Sequence, residues 1–216
     1  MDQSTVFQFF GGVSQDGLSW AVDYDKVLYE LARWFLPIGI CLLAEGVRLE
    51  KRRNIERLSC YRYEAMRIWW RHKFGRSLLY GIALAAVLFL IAVAVDIVNA
   101  GGILDEAWKV FLLWIAHMTT ILSLLLVLDV SGLGKSAPAI LILLEGCTFL
   151  AGVASMRTAQ VMFGMWGMYF QSKWYYGEGG VSVLPSLITE GVLIMLAYLA
   201  GGILLKKAVQ KSIVCF

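Results

Sequence analysis

The sequence is poor in charge, proline and histidine. Only 16% of its 216 residues are Asp, Glu, Lys or Arg, and it holds three prolines and two histidines, His72 and His117. Charge this sparse, beside 59% hydrophobic residues and a mean hydropathy of +0.70, lies outside the usual composition of soluble globular domains. No paired His or Cys spacing marks a zinc site. The four cysteines, Cys41, Cys60, Cys147 and Cys215, are too scattered for a disulfide framework and read as small core hydrophobes. No Gly-x-Ser-x-Gly elbow is present. Asp129 to Ser136 ends like a phosphate-binding loop, but Asp129 stands where the first glycine belongs and no soluble strand precedes it. Catalysis by the chain itself therefore has no constellation to carry it. No short basic leader precedes the first apolar run, so a removed signal peptide is not expected.

What the chain has is long apolar segments. Crossing a hydrocarbon core takes about 20 helical residues, and five stretches qualify: 27–47, 77–98, 108–128, 137–156 and 187–205. The expected fold is an all-α integral membrane protein, a bundle of five transmembrane helices, or six if 158–186 also crosses. The first stretch is the weakest, interrupted by Glu30, Arg33 and Glu45, with a kink expected at Pro37. Residues 1–26 are too polar to cross and are placed outside, as a short helix on the lipid surface.

Charge sets the orientation. Ten Lys and Arg residues face three Glu between Arg48 and Arg76, although the whole chain nets only +3. A short basic loop between two spans belongs in the cytoplasm, and Lys206, Lys207 and Lys211 place the C-terminus there too. Five spans satisfy both ends, which leaves 158–186 as an outer hairpin, re-entrant or lying at the interface. From Arg53 onward the basic loop can be written as one amphipathic helix, with Arg53, Arg57, Glu64, Arg67 and Arg71 on one side and Leu58, Tyr61, Ala65, Ile68 and Trp69 on another. It is either a partner surface or an interface anchor that sets topology. A nucleic-acid patch is the less fitting reading for so short a loop flanked by spans.

Ionisable groups inside the apolar runs are costly, at least ~2.5 kcal/mol each at the bilayer centre. Glu45, Asp96 and Arg157 lie near span ends, where solvation is expected. His117, Glu145 and Glu190 lie deeper. They read as a proton relay or substrate contact, or else as groups paired internally with hydroxyls such as Thr119, Thr120 or Thr148.

Arg33-Trp34-Phe35-Leu36-Pro37, Tyr61-Arg62-Tyr63, Trp69-Trp70-Arg71-His72-Lys73-Phe74, Trp166-Gly167-Met168-Tyr169-Phe170-Gln171-Ser172 and the closing Leu205-Lys206-Lys207 together resemble the membrane subunits of small bacterial ABC exporters of the ABC-2 class. The resemblance covers roughly Trp34 to Lys211 and rests on composition and order of segments. It implies a permease in the bacterial cytoplasmic membrane, coupled to a separate ATPase dimer that holds ATP and Mg, with no cofactor bound by this chain. A second membrane subunit, identical or homologous, completes the pathway. The resemblance makes Arg57, Tyr61, Arg62, Tyr63, Arg67, Trp69 and Trp70 the ATPase-docking helix, and Trp166, Met168, Tyr169, Trp174 and Tyr175 an outer gate. Typical cargoes of such exporters are antimicrobial peptides or hydrophobic compounds. One departure stands out: the family has six spans and a cytoplasmic N-terminus, whereas Met1 to Lys26 is too polar for the first.

Two other function classes fit the residues. A non-transporting anchor or regulatory subunit would use the basic loop only for anionic lipid. A proton-coupled carrier would use His117, Glu145 or Glu190.

Overall fold

The computed structural model describes residues 4–13, 24–60, 66–100, 105–153 and 156–214. Nine α-helices run through them: α1 Thr5–Phe10, α2 Tyr24–Cys60, α3 Met66–Ala100, α4 Ala107–Leu128, α5 Ala137–Val153, α6 Met156–Ala159, α7 Phe163–Trp166, α8 Lys173–Tyr176 and α9 Val183–Val214. Among the described residues there is no strand, only an isolated bridge between Ser172 and Val181.

The helix α4 forms the centre, packed on α9, α3, α5, α2 and α1. Its most apolar stretch is 61% buried within the protein, against 22% for α3 and 17% for α9. These three helices are long and apolar enough to cross a membrane, and α5 offers a shorter apolar run over Ala137–Gly152. On the periphery, Leu43 and Val47 of α2, Leu79 and Leu90 of α3, Leu143 of α5, and Ile188, Met195 and Ile203 of α9 are exposed. So continuous an apolar surface does not face water, and the chain is compatible with an all-α, multi-pass membrane protein.

The helices alternate in direction, so polar groups collect at two ends. At one, Arg48 bonds Glu45 and Ser77, and Arg53 and Lys73 both pair with Asp129, at 3.2 and 2.9 Å. This basic end contains the turn between α4 and α5, where Gly132 takes φ +96°, a conformation that favours glycine. At the other, Asp96 bonds the start of α1, Phe170 stacks on Phe7 of α1, and Glu106 bonds Tyr169.

Three expectations change. The basic loop 48–76 is not a separate amphipathic helix in its described parts: Arg48–Cys60 continues α2, and Met66–Arg76 opens α3. The reason is composition, since residues 47–60 contain no Gly or Pro and are rich in Leu, Glu, Lys and Arg, strong helix formers. The N-terminal helix is not on the outer surface of the bundle: Val6, Phe7, Phe10 and Val13 are all buried, and Phe10 packs edge-on against Trp114 at 4.6 Å. Finally, Glu45 and Asp96 are not solvated. Glu45 is buried beside Arg48, and Asp96 accepts from Ser4 Oγ and from the Thr5 and Val6 amides at 2.6, 2.6 and 2.9 Å. Asp96 thereby satisfies donors that the first turn of a helix leaves without intrahelical partners.

Candidate functional site: a buried carboxylate–imidazole–carboxylate cluster

Near the middle of the bundle three helices each bring one ionisable side chain to the same point. His117 lies ten residues into α4, about 15 Å along its axis. Its Nδ1 is 2.9 Å from Glu190 Oε1 of α9, and its Nε2 is 3.0 Å from Glu145 Oε1 of α5. From α2, the Trp34 indole N–H donates to the same Glu145 oxygen at 3.2 Å. His117 and Glu145 are fully buried and Glu190 nearly so. Glu145 Oε2 is buried with no hydrogen-bond partner, as is Trp114 Nε1 one turn before His117. Three helices thus meet at one imidazole, and α2 joins them through the Glu145 carboxylate.

The segment after α5 covers this cluster. The Phe163 ring lies 4.5 Å from the imidazole, and the Gly164 amide donates to Thr148 Oγ1 at 2.9 Å. A Cβ on Gly164 would come within 2.5 Å of the Glu145 carbonyl oxygen, and one on Gly167 within 2.6 Å of His117 Cγ. Only glycine lets the backbone approach this closely.

The three groups singled out in the sequence as deep and ionisable are therefore partners of one another. The hydroxyls considered for them are engaged elsewhere: Thr119, Thr120 and Thr148 donate to the carbonyls of Ile115, Ala116 and Leu144 on their own helices. Trp34, read in the sequence only as part of a family pattern, was not recognised as a member of the cluster. Among the described residues no group of three His, Cys, Asp or Glu is arranged to hold a metal ion.

The residues assigned to an outer gate lie together at the end opposite the basic one. Trp166, Met168 and Tyr169 are buried, and the Trp166 indole donates to the Gln160 carbonyl at 3.0 Å. The Tyr169 hydroxyl donates to Glu106, Trp174 packs on Trp108 at 5.7 Å, and the more exposed Tyr175 lies edge-on to Phe170 at 4.9 Å. Hydrogen bonds from Lys109 and then Tyr169 hold the Glu106 carboxyl below the usual carboxylate range. Burial, reinforced by Glu106, pushes the Tyr169 phenol upward. This end also grips the N-terminal segment, because Phe170 N–H donates to the Gly11 carbonyl at 3.0 Å and Gln171 Nε2 to the Val13 carbonyl at 2.8 Å.

The residues assigned to ATPase docking divide. Arg67 is exposed on α3, as is Arg71 one turn later, a residue outside that set. Trp69 and Trp70 are instead buried, with the Trp70 indole donating to the Tyr198 carbonyl of α9 at 2.8 Å. Arg57 lies in the last turns of α2, while Tyr61, Arg62 and Tyr63 fall outside the described residues. No protein-family model, curated protein or solved structure matches this chain.

Proposed function

We propose that this chain is the membrane-spanning half of an ATP-driven ABC exporter in a bacterial cytoplasmic membrane. In this reading α2, α3, α4, α5 and α9 cross the membrane, the segment from α6 to α8 re-enters from outside, and the basic end and C-terminus lie in the cytoplasm.

The observation that carries it is the paired extension of α2 and α3. With 37 residues, α2 is about 55 Å long, against a hydrocarbon core of about 30 Å. The excess, with the start of α3, makes a basic helical arm. Lys51, Arg52, Arg67 and Arg71 are exposed on it and offer a surface to an acidic face of a soluble partner.

The arm is also fastened to the rest of the bundle. Trp70 ties α3 to α9, and Arg53 and Lys73 tie α2 and α3 to Asp129 at the α4–α5 turn. A push on the arm is thereby delivered to the helices that hold Glu145, His117 and Glu190. ATP and Mg belong to the partner ATPase dimer, and a second membrane subunit completes the pathway. The family resemblance suggests antimicrobial peptides or hydrophobic compounds as cargo.

The test is purification in mild detergent followed by mass spectrometry of what remains bound. A soluble ATPase is expected with the wild-type chain and is expected to be lost with Arg67→Glu plus Arg71→Glu. A wild-type complex lacking any nucleotide-binding subunit would overturn the proposal.

A further inference from the structure

The exporter reading assigns His117, Glu145 and Glu190 no chemical task, and their geometry carries an inference that stands whether or not that reading does. Two contacts join the three groups, each a nitrogen–oxygen pair at 2.9 or 3.0 Å. Each needs one proton between its heavy atoms to be a hydrogen bond. Two protons can be placed as an imidazolium between two carboxylates, or as a neutral imidazole donating to one carboxylate and accepting from one carboxylic acid. In both arrangements the cluster carries one net negative charge.

No further cation among the described residues is paired with it. Among the described residues the polar partners of the three groups are one another and the Trp34 indole. From α7 the neighbours are Phe163 and Gly164, followed by Gly167, none of them titratable. The charged residue beside Trp34 on α2, Arg33, has its guanidinium over the Tyr29 ring at 4.4 Å. One polar atom of the cluster remains unused, the buried Glu145 Oε2. An uncompensated charge in so apolar a setting is costly, and such groups take up a proton or a counter-charge instead.

We infer that the cluster is a proton-binding site in which a third, exchangeable proton resides on Glu145 Oε2. Uptake of one proton from water converts that carboxylate to a carboxylic acid and makes the cluster neutral; release restores the negative charge. The proton does not disturb either imidazole contact, because both use the other carboxylate oxygens, Glu145 Oε1 and Glu190 Oε1. Phe163, Gly164 and Gly167 cover the site, so exchange with water requires that segment to move.

Infrared spectroscopy of the purified protein in lipid nanodiscs at neutral pH tests this. A carboxylic-acid C=O component that shifts on transfer to D2O is expected in the wild type and lost in Glu145→Gln; it is expected to be lost in Glu190→Gln as well, because one carboxylate beside an imidazolium is already neutral. Trp34→Phe removes the indole donor while leaving both carboxylates, and is expected to shift the same component. A wild-type spectrum without a carboxylic-acid component would overturn the inference on its own, whatever the fate of the variants. So would a component unmoved by both Glu145→Gln and Trp34→Phe, or one lost only in Glu190→Gln.

Discussion

The Trp70 indole of α3 donates to the Tyr198 carbonyl of α9 at 2.8 Å, and a Cβ on Gly201 would stand 2.2 Å from the same ring. The contact joins the basic arm to the last helix. Trp70→Ala removes the bond and leaves a cavity, so a loss of about 3–5 kcal/mol is expected. It should appear as a lower thermal midpoint in detergent. Arg71→Ala, on the exposed side of the same helix, is expected to stay within about 0.5 kcal/mol. Equal losses would remove the distinction between buried rivet and open docking face.

Gly167 against His117 is the second close approach. Gly167→Ala places a methyl group 2.6–2.8 Å from three carbons of His117, an overpacking expected to cost about 1–3 kcal/mol. Gly191 on α9 has open space where a Cβ would go. Gly191→Ala is therefore expected to be neutral or to stabilise by up to about 1 kcal/mol, the helix-propensity difference. Thermal unfolding of the two variants side by side checks the pair.

Asp96 anchors the N-terminal helix through three oxygen-directed bonds. Bonds to a charged group contribute about 1.5–3 kcal/mol each, so Asp96→Ala is expected to release the segment. Limited proteolysis within residues 4–13 should quicken by at least tenfold, a factor worth about 1.4 kcal/mol. An unchanged rate would mean that Phe7 and Phe10 hold the segment without the cap.

Glu106 makes the docking of the aromatic segment pH-dependent. Its carboxyl is held below its ordinary value by Lys109 and Tyr169, so it favours the folded contact when ionised. That stabilisation is fully present above about pH 4.3, the ordinary glutamate value, and is lost as pH falls through the lowered folded value. Fluorescence of the Trp108–Trp174 pair should report an acid transition there, and Glu106→Gln should abolish it.

The spans α3, α4 and α9 were legible because an unbroken apolar run has few other solutions. The expectation of five crossings rests on where the positive charges lie, and three of the five helices it needs have the length and apolarity to cross. The three deep ionisable residues were legible individually, since each is expensive where it stands, but not their meeting. His117, Glu145 and Glu190 are 28 and 73 positions apart from the histidine outward, and helix rotation decides whether they converge. The same holds for Asp96 and Ser4, separated by 92 positions. The two sides of Met66–Arg76 could be drawn from periodicity, but which side faces α9 depends on Gly201, a residue that looks unremarkable in sequence.

The most direct measurement is cysteine accessibility in intact cells, on a background with Cys41, Cys60, Cys147 and Cys215 replaced. Glu178 lies exposed between α8 and α9, and Arg71 lies exposed on the basic arm. A membrane-impermeant maleimide is expected to label Glu178→Cys from outside, and Arg71→Cys only after permeabilisation. Labelling of Arg71→Cys in intact cells, with Glu178→Cys protected, would invert the protein in the membrane and put the basic arm beyond the reach of any cytoplasmic ATPase.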